Sequence, residues 1–209
     1  MSENHTDAQQ QQYKVVLLGD GAVGKTSIAA RFANDTFTQK YKQTIGLDFF
    51  VKHLILPGNG FSVAFAGLLP APNLGDTQVA MQLWDIGGQS IGSKMLQNYI
   101  CGAKAILLCY DITNHDSFAN LGDWYKLVRH AFRDVSMPFV GLVANKCNLP
   151  GCEIRSVLLP AGDLSHLRAV KSDLHNRFAD ENVLYSFMMS AKSGDQVGSA
   201  SLLSTTHPC

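Results

Sequence analysis

With 209 residues and 46% apolar side chains, the chain can bury a sizeable core and is close to the size of one α/β domain. Lysine plus arginine equals aspartate plus glutamate at 17 each, so no global field draws the chain to nucleic acid or an anionic membrane. No apolar run is long enough to span a bilayer and the N-terminus lacks a signal-type apolar core, so a reducing, cytoplasmic setting is expected.

Residues 1–12 are polar, with Gln9 to Gln12 consecutive, and read as a disordered tail before a domain spanning 13–197. The apolar run at 13–18 predicts a first strand. It leads into Gly19-Asp20-Gly21-Ala22-Val23-Gly24-Lys25-Thr26, the pattern G-x-x-x-x-G-K-[ST], and Ser27 then opens a helical pattern over about 26–32. Strand, glycine loop and helix is the context that makes this pattern a phosphate site. The glycines let successive backbone N–H groups turn inward around a di- or triphosphate, and the helix N-terminus adds to their field. Lys25 has the reach for the β- and γ-phosphates, and the Thr26 hydroxyl suits a Mg²⁺ ion.

Residues 49–56 and 79–85 read as strands able to pair as a hairpin, and 105–110 as a buried strand. A helix follows, with its N-cap region at 114–117, running through Trp124 and Leu127 to Phe132. Residues 139–144 form the next predicted strand, 167–180 a helix and 183–189 the last strand. Strands separated by helices imply a mostly parallel, six-stranded sheet with helices on both faces and its ligand site at the carboxyl ends of the strands. Among the five cysteines, Cys101 and Cys109 flank or sit in an apolar strand and read as buried thiols. Cys147 and Cys152 have no second Cys/His pair to complete a zinc site, and Cys209 stands alone.

Further motifs fall at the same strand ends. Thr44-Ile45-Gly46 lies in a polar stretch after the first helix, and Trp84-Asp85-Ile86-Gly87-Gly88-Gln89 closes a strand with Asp-x-x-Gly. Asn145-Lys146 closes the fifth strand and Ser190-Ala191-Lys192 the last. Together with the phosphate loop these resemble the Ras-type small GTPase family, and Ile45-Gly46-Leu47-Asp48-Phe49 is similar to its Rab branch. The resemblance is to a divergent member. Rabs typically carry Thr-Ala-Gly-Gln-Glu-Arg-Phe where this chain has Ile86-Gly87-Gly88-Gln89-Ser90-Ile91-Gly92. The likeness covers about residues 13–59, 77–146 and 163–197.

The resemblance implies a switch enzyme that binds and hydrolyses GTP with Mg²⁺ and recruits effectors in vesicle trafficking when GTP-loaded. Residues 19–27, Phe37, Thr44, Gly88, Asn145, Lys146, Asp163, Ser190, Ala191 and Lys192 are then the nucleotide-binding set. Thr26, Thr44 and Asp85 form the Mg²⁺ set, and Gln89, Thr44 and Lys25 carry catalysis, Gln89 by orienting the attacking water. Thr44 would also offer its N–H to the γ-phosphate, as would Gly88, so hydrolysis releases both segments. Gly21 leaves room for Gln89, and Phe37 stacks on the base. Effector, exchange-factor and GTPase-activating proteins would engage residues 44–49 and 88–99. No arginine finger is identifiable, so fast turnover needs a partner protein.

The chain departs from the family at the base. The expected motif is Asn-Lys-x-Asp, whose carboxylate accepts two hydrogen bonds from guanine, whereas this chain reads Asn145-Lys146-Cys147-Asn148. An asparagine amide sets donor against donor on one of those bonds, a cost of about 1–3 kcal/mol. Removing residues 147–161 brings Asp163 into the motif, so the segment behaves as an insertion and both Asn148 and Asp163 stand as base-facing candidates. A second insertion, about 60–76, carries the apolar Phe61 to Leu69 stretch into an expected hairpin turn. After Val197 the family's long final helix is expected, but residues 198–209 have no helical apolar period and no prenylation box, which argues against a lipid anchor on this form. The competing reading is a splice or gene-model variant that keeps the phosphate loop yet holds no nucleotide or folds poorly. A P-loop kinase or ATPase is disfavoured by the order of the remaining motifs.

Overall fold

The computed structural model describes residues 11–56, 77–147 and 168–197. Six strands form one sheet in the order β2-β3-β1-β4-β5-β6: β1 (Gln11–Leu18), β2 (Leu47–Leu56), β3 (Thr77–Ile86), β4 (Ala105–Asp111), β5 (Phe139–Asn145) and β6 (Tyr185–Met188). Only β2–β3 is antiparallel, with Leu47 opposite Ile86 and Phe50 opposite Leu83. Every other pairing is parallel, as the strand–helix alternation requires.

Both faces of the sheet are covered, and the strand period of two decides which residue meets which cover. Val15 and Leu17 on β1, with Ala105, Leu107 and Cys109 on β4, pack against Ile28, Ala29 and Phe32 of α1 (Lys25–Asn34). Val16 and Leu18, with Ile106, Leu108 and Tyr110, pack on the opposite face against Leu121, Trp124 and Val128 of α4 (Leu121–Ala131). That second cluster also takes Leu96 and Ile100 of α2 (Leu96–Ile100) and Ala179 of α5 (Ser172–Asn182). Each such buried aliphatic or aromatic side chain contributes about 1.5–3 kcal/mol. With β1 between β3 and β4, the loop leaving its carboxyl end lies where connections diverge to either side of the sheet, the crevice in which such folds place ligands.

Several elements differ from the sequence expectation. Gln11 and Gln12 pair with Val79 and Ala80 in the β1–β3 ladder rather than belonging to a tail. The helix expected up to Phe132 is two helices, α3 (His115–Ala119), capped by the Asn114 side chain, and α4, with Asn120 between them. The helix placed at 167–180 begins at Ser172, because Ala169 and Val170 both donate their N–H groups to the Ile112 carbonyl and Lys171 is extended as the residue before the helix. The last strand begins at Tyr185, since Val183 adopts the left-handed conformation (φ 53°) and donates to the Ala179 and Asp180 carbonyls as the cap of α5. Cys109 is buried as expected, but Cys101 is exposed, because it follows α2 in the turn before β4. Cys152, Cys209 and both inserted segments, apart from Cys147, lie outside the described residues.

A polar chain crosses the core beneath α5. The Tyr110 hydroxyl and His175 Nδ1 are 3.0 Å apart, and His175 Nε2 lies 2.6 Å from the Ser186 hydroxyl. Burial, assisted by the Arg168 charge, pushes His175 down to about 4, so the folded state holds it neutral where the unfolded chain takes a proton near 6.5. The folded state thus binds fewer protons between those values, and stability is present above pH 6.5 and lost as pH falls toward 4, by on the order of 3 kcal/mol. Thermal melts across pH 4–7 should show this loss, and His175→Gln should flatten that part of the profile.

Candidate functional site

The loop from β1 to α1 is shaped by what it touches. Gly24 holds φ at 97° as the residue before α1, and a Cβ there would come within 2.3 Å of Asn145 Nδ2. No side chain caps the helix, so its first N–H groups open onto a cleft of about 860 Å³. Lys25, 5% exposed, donates Nζ to the Gly19 and Asp20 carbonyls at 2.6 and 2.7 Å, folded along the loop it would use to reach a phosphate. Burial pulls the Lys25 ammonium below its ordinary value. Among the acidic groups near it, Cys109 stays a thiol because burial pushes it up to about 12, which leaves Asp85 and Asp20 as the charges that oppose the fall.

Three oxygen-bearing side chains meet at the floor. The Thr26 hydroxyl donates to Asp85 Oδ2, the Thr44 hydroxyl lies 3.1 Å from the same oxygen, and the two hydroxyls are 2.9 Å apart. Asp85 is fully buried and its Oδ1 has no hydrogen-bond partner among the described residues. Burial raises its carboxyl, opposed by the Thr26 hydroxyl, the Lys25 ammonium and the Thr44 hydroxyl. An oxygen-only set around an unpaired carboxylate oxygen fits a hard divalent cation such as Mg²⁺.

The stretches around Thr44 and Gly88 are in contact. Gly87 N–H donates to the Gly46 carbonyl at 2.9 Å, and a Cβ on Gly87 would come within 2.5 Å of the Thr44 carbonyl. Gly88 lies so close to the phosphate loop that a Cβ would meet Gly21 N at 2.1 Å. Gln89 is exposed at the cleft lining, on the 3₁₀ turn Gly88–Gly92. The space beside Gly21 faces the Tyr41 hydroxyl, 3.9 Å from the Cβ position, and not Gln89.

Further along the cleft, Asn145 Nδ2 donates to the Val23 carbonyl at 2.8 Å and its Oδ1 accepts from Ala191 N–H at 3.2 Å. Lys146 donates to the Ala22 carbonyl at 3.2 Å and pairs with the Asp111 carboxylate. Ala191, Lys192 and Phe37 line the cleft, Phe37 half-buried against the α1 cluster. Gly19, Val23 and Ser190 are buried and Asp20 is half-buried, and none of the four lines the cleft. Ser27 lines it on the first turn of α1. Asn148 and Asp163 lie outside the described residues.

Sequence reasoning missed the side-chain partners of Asp20. Its carboxylate turns away from the cleft, accepting from Trp124 Nε1 at 2.9 Å and Asn120 Nδ2 at 2.7 Å. The signal was present, since a tryptophan on the apolar stripe of a helix needs an acceptor for its indole N–H once buried.

Residues 14–205 match the Ras family. The chain belongs to the Ras family of small GTPases, in its Rab branch. It is 37% identical over 185 residues to the Ras-related protein Rab-28 of Caenorhabditis elegans, covering 88% of this chain and 62% of that relative. It is 30% identical over 191 residues to the Ras-related protein Rab-10 of Diplobatis ommata, covering 91% of this chain and 78% of the relative. The chain therefore spans less than two thirds of the nematode Rab's length. Among the described residues of this Ras-family chain, no helix is long and apolar enough to cross a membrane.

Asn145 is the buried member of this Rab-branch site whose two bonds join separate segments. Asn145→Ala would leave the Val23 carbonyl and the Ala191 N–H without that partner, at a cost of about 2–4 kcal/mol. Urea unfolding should show the free energy of unfolding lowered by that amount, seen as a shifted midpoint with an unchanged slope.

Proposed function

We propose that this chain is a GDP/GTP switch that binds guanine nucleotide with Mg²⁺ and hydrolyses GTP slowly on its own. The observation that carries the reading is the convergence of Thr26, Thr44 and Asp85 at the open N-terminus of α1, beside Lys25. Four positions from three separate segments meet where a polyphosphate and its cation would lie. The α1 N–H groups and Lys25 would hold the β- and γ-phosphates, and Thr26, Thr44 and Asp85 would hold the cation. Bound Mg²⁺ neutralises charge that develops on the phosphate oxygens. Gln89 orients water at the mouth, and Gly88 N–H bonds the γ-phosphate. Phe37, Asn145, Lys146, Ala191 and Lys192 form the base end, with Ser190 beside them, and Asp163 is the residue whose sequence context matches the carboxylate of the base motif.

The switch follows from the contact between the Thr44–Gly46 and Gly87–Gly88 backbones. Both segments would be held by the γ-phosphate, so its loss frees them together. Phe49, Val51 and Ile55 point outward from edge strand β2, continuing from the exposed Ile45 and Tyr41, and present an apolar face to effectors and regulators. Recruitment of trafficking effectors by the GTP form is the role this surface supports.

The test is the identity and stoichiometry of nucleotide co-purifying with the chain expressed alone. Near-stoichiometric GDP or GTP, released faster when EDTA removes the cation, is expected. An empty, aggregating or adenine-loaded chain would overturn the reading and favour a nucleotide-free variant. Gln89→Leu should keep GTP bound and slow single-turnover hydrolysis about tenfold or more.

A further inference from the structure

Arg31, on α1 six residues beyond Lys25, has no part in the nucleotide contacts described above, yet it fastens the base end of the cleft. Its Nε donates to the Ala191 carbonyl at 3.1 Å and its Nη2 to the Lys192 carbonyl at 2.9 Å. Its Nη1 donates to the Asp35 carbonyl and to Asp35 Oδ1, both at 3.0 Å. One planar guanidinium thus takes two consecutive carbonyls of the 190–192 segment while Asp35, at the end of α1, holds its other side. A lysine ammonium cannot span this arrangement, because its donors radiate from a single nitrogen.

The loop it holds is closed on itself. Ser190 N–H donates to the Asp195 carbonyl at 3.1 Å, and Gly194 N–H to the Ser190 carbonyl at 2.9 Å. A loop closed in this way moves as a unit, so its height over the cleft depends on what ties it down. From β5 it is tied by Asn145 Oδ1, and from α1 by Arg31. The same α1 presents its N-terminus to the phosphate end.

We propose that Arg31 is a positioning residue for nucleotide base recognition, fixing the Ser190–Lys192 loop to the helix whose other end receives the phosphates. The distance between the base wall and the phosphate loop is then set by Arg31 on α1 together with Asn145 on β5. The inference rests on the guanine-nucleotide reading above. It names a residue outside the family motifs as a determinant of how long the base is held and how well it is told from others.

The test uses the full chain loaded with a fluorescent GDP analogue in the presence of Mg²⁺. Arg31→Ala should release it about tenfold faster, the scale of losing two charge-assisted hydrogen bonds in part compensated by water. Arg31→Lys should recover only part of the difference, and a few millimolar guanidinium should slow release from Arg31→Ala while leaving the parent chain unchanged. The preference for GDP over ADP should narrow in Arg31→Ala, a change that general destabilisation would not produce. Release and preference both equal to the parent's, or a lowered melting temperature with an unchanged preference, would overturn the proposal. Should Arg31→Ala fail to fold, Asp35→Ala decides. Release faster than the parent's with a narrowed preference supports the proposal, and parent-like values overturn it. A parent chain that binds no guanine nucleotide is a separate outcome, which removes the nucleotide reading and this inference with it.

Discussion

The amide of Asn145 gives through Nδ2 to the Val23 carbonyl and takes through Oδ1 from the Ala191 N–H, so one buried side chain joins the phosphate loop, the end of β5 and the loop after β6. These three segments are far apart in the chain and reach the same crevice only because their strands are parallel and end together. Gly24 is required by the same contact, since a Cβ there would occupy the place of the amide nitrogen. The cleft therefore depends on a polar tie that is cheap to form in a dry site and costly to break, because each broken bond would leave a buried group unpaired.

Around that tie, two further fastenings use side chains that face away from the cleft. Asp20 anchors the phosphate loop to the α3–α4 junction through Asn120 and Trp124. Arg31 anchors the loop after β6 to α1. Loops carry the chemistry in this fold, but they are held from behind by helices packed on opposite faces of the sheet, so a binding surface made of turns acquires the rigidity of the core. The parts left without such anchors are the Thr44 and Gly88 stretches, which touch each other and Asp85. Those are the segments a γ-phosphate could order or release.

The sequence made the parallel sheet, the phosphate loop and its lysine legible, because each has a local signature. Val15-Val16-Leu17-Leu18 suits a strand buried on both faces, and a glycine loop between such a strand and a helix has one common use. The places where the reading missed were boundaries decided by distant partners. Gln11 and Gln12 are polar, yet they extend β1 because β3 offers them a free ladder. The non-helical stretch before α5 is held by the carbonyl of Ile112, a residue far away in the chain, and no local pattern could reveal that.

The order of motifs along the chain determined by itself that this is a Ras-family domain, since the spacing of Lys25, Thr44, Asp85 and Asn145 encodes residues that must converge on one ligand. Tertiary structure alone decided what each side chain does on arrival. Asp20 sits inside the phosphate motif but its carboxylate serves the helix behind it, while Arg31, outside every motif, grips the base-end loop. The reason is geometric. A local pattern fixes backbone conformation over a few residues, whereas the partner a side chain finds depends on how helices on the two faces of the sheet are placed, and that is settled only when the whole core packs.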